Sequence, residues 1–347
     1  MNVPKSVAST LLALGLLLSA APALSIASPT TETGMGPTPI YSVSLHGDFV
    51  VGSNSTRQTS TGDPQGTGLP QGSPFNVNIA GIPAGAVVVK AYANWSYQSD
   101  TPNIGSAAEA NITINGNPVA GALSGSAIPD LIWTHQGTDA YTADVTGIIA
   151  AGGNGPYSIG GAVDAATPNS FGEGISILAV WELPTAAYNQ IDVYSGLTTT
   201  ESGGALATFG FAPAPYQGGP THFFINALDG QSQYTDQASI NGTNIAAGGT
   251  INGLGPLGNT WEGLVGPNAT SNIYDHAEGD SSPFMNLGDT LLTVATKGHG
   301  NTGGVLEDAI GHSFGAIAFA VPVPELSTFA LAVTGAMALA LLARRRK

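Results

Sequence analysis

Between residues 40 and 322 the chain carries glycine, proline and Asn-Gly pairs too often for a long helix to form. No segment there joins a capping residue to a dozen residues of three-and-four apolar spacing. Short runs alternate apolar and polar residues instead, the period of two that places every second side chain on one face of a strand. Ile40-Tyr41-Ser42-Val43-Ser44-Leu45 alternates, and Gly47-Asp48-Phe49-Val50-Val51 follows it. Residues 86–95 form a strong run, and Ala110-Asn111-Ile112-Thr113-Ile114 leads into Asn115-Gly116, a favoured type I′ hairpin turn. Residues 175–181 are almost continuously apolar, as in a strand buried on both faces. Residues 190–194, 221–228, 238–240, 290–296 and 315–321 complete the expected strands. The prediction is an all-β chain of one or two tandem antiparallel sandwiches.

Residues 53–73 are dense in Gly, Thr, Gln, Pro and Ser and read as a loop, as do residues 213–220. Glycine punctuates residues 248–266, where little regular structure is expected. Residues 112–121 and 238–247 echo each other, each a strand entering an Asn-Gly turn with a small-residue return. Chance accounts for the echo as well as duplication does, because turn physics sets such hairpins. Under duplication, domains 40–187 and 188–322 would meet near residues 185–190.

The N-terminus places a charged start, Met1 to Lys5, before an apolar stretch at residues 11–18. Ala21-Pro22-Ala23 and Ser25-Ile26-Ala27 are alternative small-x-small cleavage sites, so residues 1–27 read as a secretory signal peptide and 28–39 as a linker. The body that follows holds Arg57, Lys90 and Lys297 against 22 Asp and Glu, a net charge of −19. So acidic a body repels nucleic acid and anionic lipid. Cysteine is absent, which excludes disulfides, a thiol nucleophile and thiolate zinc sites.

Residues 323–347 are tripartite. Val323-Pro324-Glu325 with Ser327-Thr328 precede an apolar run to Ala343, and Arg344-Arg345-Arg346-Lys347 close the chain. The apolar run partitions into a bilayer and the cluster stays on the cytoplasmic side. Residues 327–343 span roughly 25 Å as a helix, short of the ~30 Å hydrocarbon core, which favours a transient anchor over a permanent one. This tail resembles the PEP-CTERM sorting signal of Gram-negative bacteria, with Leu326 where the second proline of that pattern usually stands. The resemblance covers about two dozen residues. It implies an exosortase-like processing enzyme as partner, passage through the inner membrane, and a final place at the cell surface or in the extracellular matrix or biofilm. Ala91-Tyr92-Ala93-Asn94-Trp95, Tyr141-Thr142-Ala143-Asp144-Val145-Thr146, Gly155-Pro156-Tyr157-Ser158-Ile159 and residues 174–181 resemble a β-domain of bacterial surface proteins. That likeness implies a jelly-roll-like sandwich without assigned catalysis.

Gly311-His312-Ser313-Phe314-Gly315 fits the nucleophile elbow of α/β-hydrolases, but no histidine follows it and the next residues read as strand. The six histidines are scattered and show no zinc-protease spacing. Asp275, Glu278 and Asp280 surround Gly279 and are the candidate calcium ligands, against the plainer reading of a solvated acidic loop. Glu173 and Glu182 flank an apolar strand as a conceivable glycosidase pair. Lys90 lies in a strand, where its stem packs along the sheet and its ammonium reaches the edge; a lysine crosslink to Asn or Asp is the sharper alternative. The four tryptophans, Trp95, Trp133, Trp181 and Trp261, are read as core rather than a carbohydrate platform. The expectation is an exported, non-enzymatic surface or matrix protein with no required cofactor. A calcium- or polysaccharide-binding adhesin module is the alternative, and a secreted hydrolase the third.

Overall fold

A computed structural model describes residues 31–32, 34–58, 69–70, 74–99, 105–128, 137–161, 170–200, 204–211, 214–232, 234–265, 272–298 and 310–323. The architecture is all-β. The only helices among the described residues are short: Ala107–Ala110, Thr146–Gly152 and a 3-10 turn at Ser282–Phe284. None of them is long and apolar enough to cross a membrane.

All strands but the Arg57–Gln58 and Leu69–Pro70 pair stack as four sheets. A first inner sheet orders Ala122–Ile128, Gly137–Asp144, Val87–Ser99 and Ser170–Glu182, with the second half of Tyr41–Ser55 at its edge. A first outer sheet of Phe75–Ile79, Gly155–Gly160, Asn111–Ile114 and Asn117–Ala120 covers one face of it. Val77, Ile79, Trp95, Ile112, Ile114, Tyr157, Ile175 and Ile177 fill the space between them. A second inner sheet orders the first half of Tyr41–Ser55, then Tyr188–Thr199, Gly311–Ala320, Thr221–Leu228 and Tyr274–Gly279. Its outer partner contains Ala205–Gly210, Leu291–Gly298 and Asp236–Ile240, packed through Phe209, Phe223, Ile225, Val294 and Ile317.

The inner sheets face each other because one ribbon belongs to both. Along Tyr41–Ser55, residues 41–46 pair with 193–188 and residues 47–55 with 182–174. The ribbon bends where residues 183–187 bridge the two partner strands, with Leu183 N–H bonded to His46 O and Gly47 N–H to Ala187 O. Leu45, Phe49, Leu178, Val180, Ile191, Val193, Phe224 and Phe314 form the apolar middle layer near the bend. Residues 175–180 therefore touch core on both faces, which is why that run lacks alternation.

Two predicted strands at 40–45 and 47–51 are thus one strand, because its partner changes while its backbone continues. The halves also interleave in sequence: residues 41–46 belong with the second half. Residues 28–39 do more than link. Thr31–Glu32 pairs with Ala127 and Ile128 of the first half, and Gly34–Met35 sits between Tyr188–Thr199 and Ala205–Gly210 of the second. Both Asn-Gly turns are present, with left-handed φ of 51° and 75° at Asn115 and Gly116, and 46° and 79° at Asn241 and Gly242. Within the segment read as loop, Ser53, Asn54 and Ser55 finish the long strand; residues 59–68 and 71–73 lie outside the described residues.

Candidate functional site: a histidine–carboxylate clasp between the inner sheets

Away from the bend, the layer between the inner sheets turns polar. Its strands present Ser53, Asn94, Thr142 and Ser176 from the first sheet against Ser195, His222, Asn226, Tyr274, His276 and Glu278 from the second. Their periods match, so these residues project from inward positions on both sides.

His222 is the centre of the exposed end. Its Nδ1 lies 2.9 Å from Asp48 Oδ1 and its Nε2 2.7 Å from Glu278 Oε1. Its ring stacks on Phe49 at 4.0 Å between centroids. The other Glu278 oxygen, Oε2, is 2.8 Å from His276 Nε2. Burial opposes both charges, yet the hydrogen bonds outweigh it. Contacts to Asp48 and Glu278 lift His222 to about 9, and those from His222 and His276 hold Glu278 down at about 2. At neutral pH His222 is therefore an imidazolium donating from both ring nitrogens to carboxylates of opposite sheets.

The inner end fixes the direction of the remaining bonds. Asn226 Oδ1 accepts the backbone N–H groups of Ser313 and Phe314, so its Nδ2 is the donor to Tyr274 OH at 2.8 Å and Ser313 Oγ at 2.9 Å. Tyr274 then donates to Ser176 at 2.9 Å, Ser176 to Ser53 at 2.7 Å, and Ser53 to His276 Nδ1 at 2.8 Å. His276 consequently carries its proton on Nε2, facing Glu278. Ser313 donates to Asn94 Oδ1 at 2.8 Å, and Asn94 Nδ2 continues to Thr142 Oγ1 at 3.0 Å. One connected string runs from Asp48 across the interior to Thr142 and Ser195. Tyr274 reaches it only because position 174 is glycine, where a Cβ would overlap the tyrosine ring.

The order Ser53, His276, Glu278 matches a hydroxyl–imidazole–carboxylate relay. Ser53, however, lies within a paired strand, opposite Ser176, and not at a turn that exposes a nucleophile. An open groove of about 720 Å³ runs between the Asn117–Ala120 hairpin and helix Thr146–Gly152, and none of the clasp residues lines it. The clasp polar atoms face one another, an arrangement suited to holding two sheets in register.

The other sequence candidates fall elsewhere. Ser313 is fully buried in a central strand. The Gly-x-Ser-x-Gly segment marks a register shift opposite residues 225–228, which the Asn226 side chain bridges, and strand rather than helix follows. His312 is buried against Thr296 and the Asn226 carbonyl, and burial lowers it to about 4. Asp275, Glu278 and Asp280 do not converge. Tyr274–Gly279 is a strand, not a loop, so its pleat sends Asp275 and Glu278 to opposite faces. Asp275 accepts the N–H groups of Gly263 and Leu264, while Asp280 accepts from Thr221 and Ser282. Asp236 likewise takes the Thr260 and Trp261 N–H groups, so two carboxylates pin the glycine-rich 248–266 segment. Burial pushes both Asp236 and Asp275 up to about 7 despite these donors. Among the described residues no group of three or more His, Asp or Glu is placed to hold a metal ion.

Glu173 and Glu182 lie nine residues apart on one strand, about 30 Å at ~3.3 Å per residue, far beyond the reach of a glycosidase pair. Lys90 Nζ meets Asp144 at 2.6 Å between the rings of Tyr41 and Tyr92. The Asp144 hydrogen bond raises Lys90. Burial opposes the Asp144 charge, but bonds from Lys90 and Thr146 outweigh it and lower Asp144. Both are therefore ionised, whereas amide formation needs a neutral amine and a protonated acid. Trp95 and Trp261 are core, and Trp181 is half-buried. Trp133 lies outside the described residues.

Of the sorting motif, Val323 is the last described residue, 55 % exposed, three residues beyond the end of a central inner strand. Pro324, Glu325, Ser327, Thr328, Arg344, Arg345 and Arg346 lie outside the described residues, as does the signal peptide. Sequence reasoning missed the clasp because its members are up to 230 residues apart and sit singly on alternating strands. The one available signal was the recurrence of polar residues at inward positions of otherwise apolar strands. No protein-family model matches this chain, and no curated protein sequence does.

Proposed function

We propose that this is an exported structural or interaction protein of the cell surface or extracellular matrix, sorted through its C-terminal PEP-CTERM-like signal. The order of Val323-Pro324-Glu325, the apolar run and the terminal arginines carries this reading. The partners are an exosortase-like processing enzyme and the inner membrane during export, then extracellular polysaccharide. The body is taken as two jelly-roll-like sandwiches without catalytic function. Support comes from an interior whose Ser, Asn, His and Glu side chains bond to each other across two sheets. Further support is the exit of the chain at an exposed point directly after its last core strand. The test is the intact mass of the protein recovered from its native host. A C-terminus near Val323-Pro324-Glu325 and loss of the first two dozen residues sustain the proposal. Retention of the terminal arginines reduces it to a permanently anchored protein, and an intact N-terminus in the cytosol ends it.

A further inference from the structure

The far end of the first sandwich contains a second polar cluster. Asp139 lies on Gly137–Asp144 directly across from Tyr97 and is fully buried. Its Oδ2 accepts the Gly105 N–H at 2.6 Å, while its Oδ1 has no hydrogen-bond partner among the described residues. Glu109, also fully buried, arrives on the helical turn Ala107–Ala110. One of its oxygens accepts from Tyr141 OH at 3.1 Å and the other from the Ser99 hydroxyl. Tyr141 is two residues along the strand from Asp139, and Ser99 pairs with Gly137, two residues the other way. The Glu109 carboxylate is thus held above the position of Asp139, close enough for the two charges to repel.

A bare carboxylate oxygen in the interior is destabilising unless it is neutralised or bound. Two adjacent carboxylates add repulsion. A cation removes both penalties at once, and no Lys, Arg or His among the described residues pairs with Asp139. We propose that Asp139 and Glu109, with the Ser99 hydroxyl, form an oxygen-only binding site for a divalent cation of the calcium type. The ligand chemistry selects the metal: carboxylate and hydroxyl oxygens suit a hard cation, the chain has no thiol, and no imidazole among the described residues is offered to zinc. Calcium accepts six to eight oxygens in irregular arrangements, so water completes a shell that two carboxylates begin. This site lies in a different half of the chain from the acidic 275–280 segment. It does not depend on how the protein is sorted.

Terbium(III), a luminescent calcium substitute, tests the site on the full exported chain in physiological salt. Trp95, Tyr97 and Tyr141 pack around the carboxylates, so a bound ion is sensitised by exciting the rings. We expect sensitised emission that calcium displaces and that falls at least tenfold in Asp139→Asn and in Glu109→Gln. Asp139→Asn keeps the shape and relieves the repulsion, so the metal-free variant folds at least as stably as the parent. Calcium should raise the melting temperature of the parent and not of Asp139→Asn. Absence of emission from the parent, or equal emission from parent and both variants, overturns the proposal.

Discussion

Replacing Glu278 by Gln removes the charge at the centre of the clasp while keeping its shape. The drop of Glu278 from 4.5 to about 2 corresponds to about 3 kcal/mol at ~1.36 kcal/mol per pKa unit. A third of this side chain is exposed, so solvent screening reduces the figure to about 2 kcal/mol. The rise of His222 from 6.5 to about 9 reports the same contacts from the other partner and is not added. In the variant, one amide oxygen must serve two imidazole donors, and the amide N–H₂ faces one of them. Denaturant midpoints at pH 6 should give a loss of about 2 kcal/mol, or a melting temperature lower by about 3–5 °C.

The pH dependence identifies the cause. His222 is raised above its unfolded value, so its contribution is complete below about 6.5 and disappears as pH rises through about 9. Glu278 is depressed, so its contribution is present above about 4.5 and is lost as pH falls toward about 2. The penalty of Glu278→Gln should therefore be largest between these limits and shrink above pH 10. A difference below about 0.5 kcal/mol at pH 6, or one of equal size at pH 10, refutes the charged-clasp argument.

Gly174→Ala places a methyl into the Tyr274 ring and should destabilise by about 3 kcal/mol or more, seen as a lower denaturant midpoint. Gly116→Ala meets no neighbouring atom but must adopt a φ of 75°, so only about 1 kcal/mol should be lost. Asp236 and Asp275 bind protons more tightly folded than unfolded, so their contribution is full below about pH 4 and declines through about 7. Stability measured from pH 4 to 8 should fall, and Asp275→Asn should flatten the fall; an unchanged slope contradicts it.

Strand positions were legible where physics is local. Alternation marks Val87–Ser99 and Tyr188–Thr199, and the Asn-Gly pairs mark both tight hairpins, because two left-handed residues fit only that turn. Phe75–Ile79, Ala122–Ile128 and Ala205–Gly210 escaped notice, being short, small or set in glycine-rich surroundings where tertiary pairing outweighs propensity. Tyr274–Gly279 was misread for a different reason. Its two acids and histidine have no strand propensity, yet each has a partner supplied by residues outside the strand. The exchange of partners along Tyr41–Ser55 has no local signature at all, since either pairing makes the same ladder.

Composition explains why the polar interior takes this form. With three Lys and Arg among 22 acids, the body has almost no permanent cations with which to neutralise a buried carboxylate. Among the described residues several inward acids are met by other devices. Backbone N–H pairs serve Asp236 and Asp275, histidines serve Asp48 and Glu278, and hydroxyls serve Glu109. These devices differ in what they can supply. A pair of N–H groups orders a loop, and an imidazolium joins two sheets by a charge that alkali removes. Hydroxyls bring no positive charge, and Glu109 lies beside Asp139, whose Oδ1 meets no donor among the described residues, so the pair suits the cation proposed above. In a chain of this composition the interior itself creates a demand for a cation, here at a buried oxygen of Asp139 that no donor among the described residues reaches.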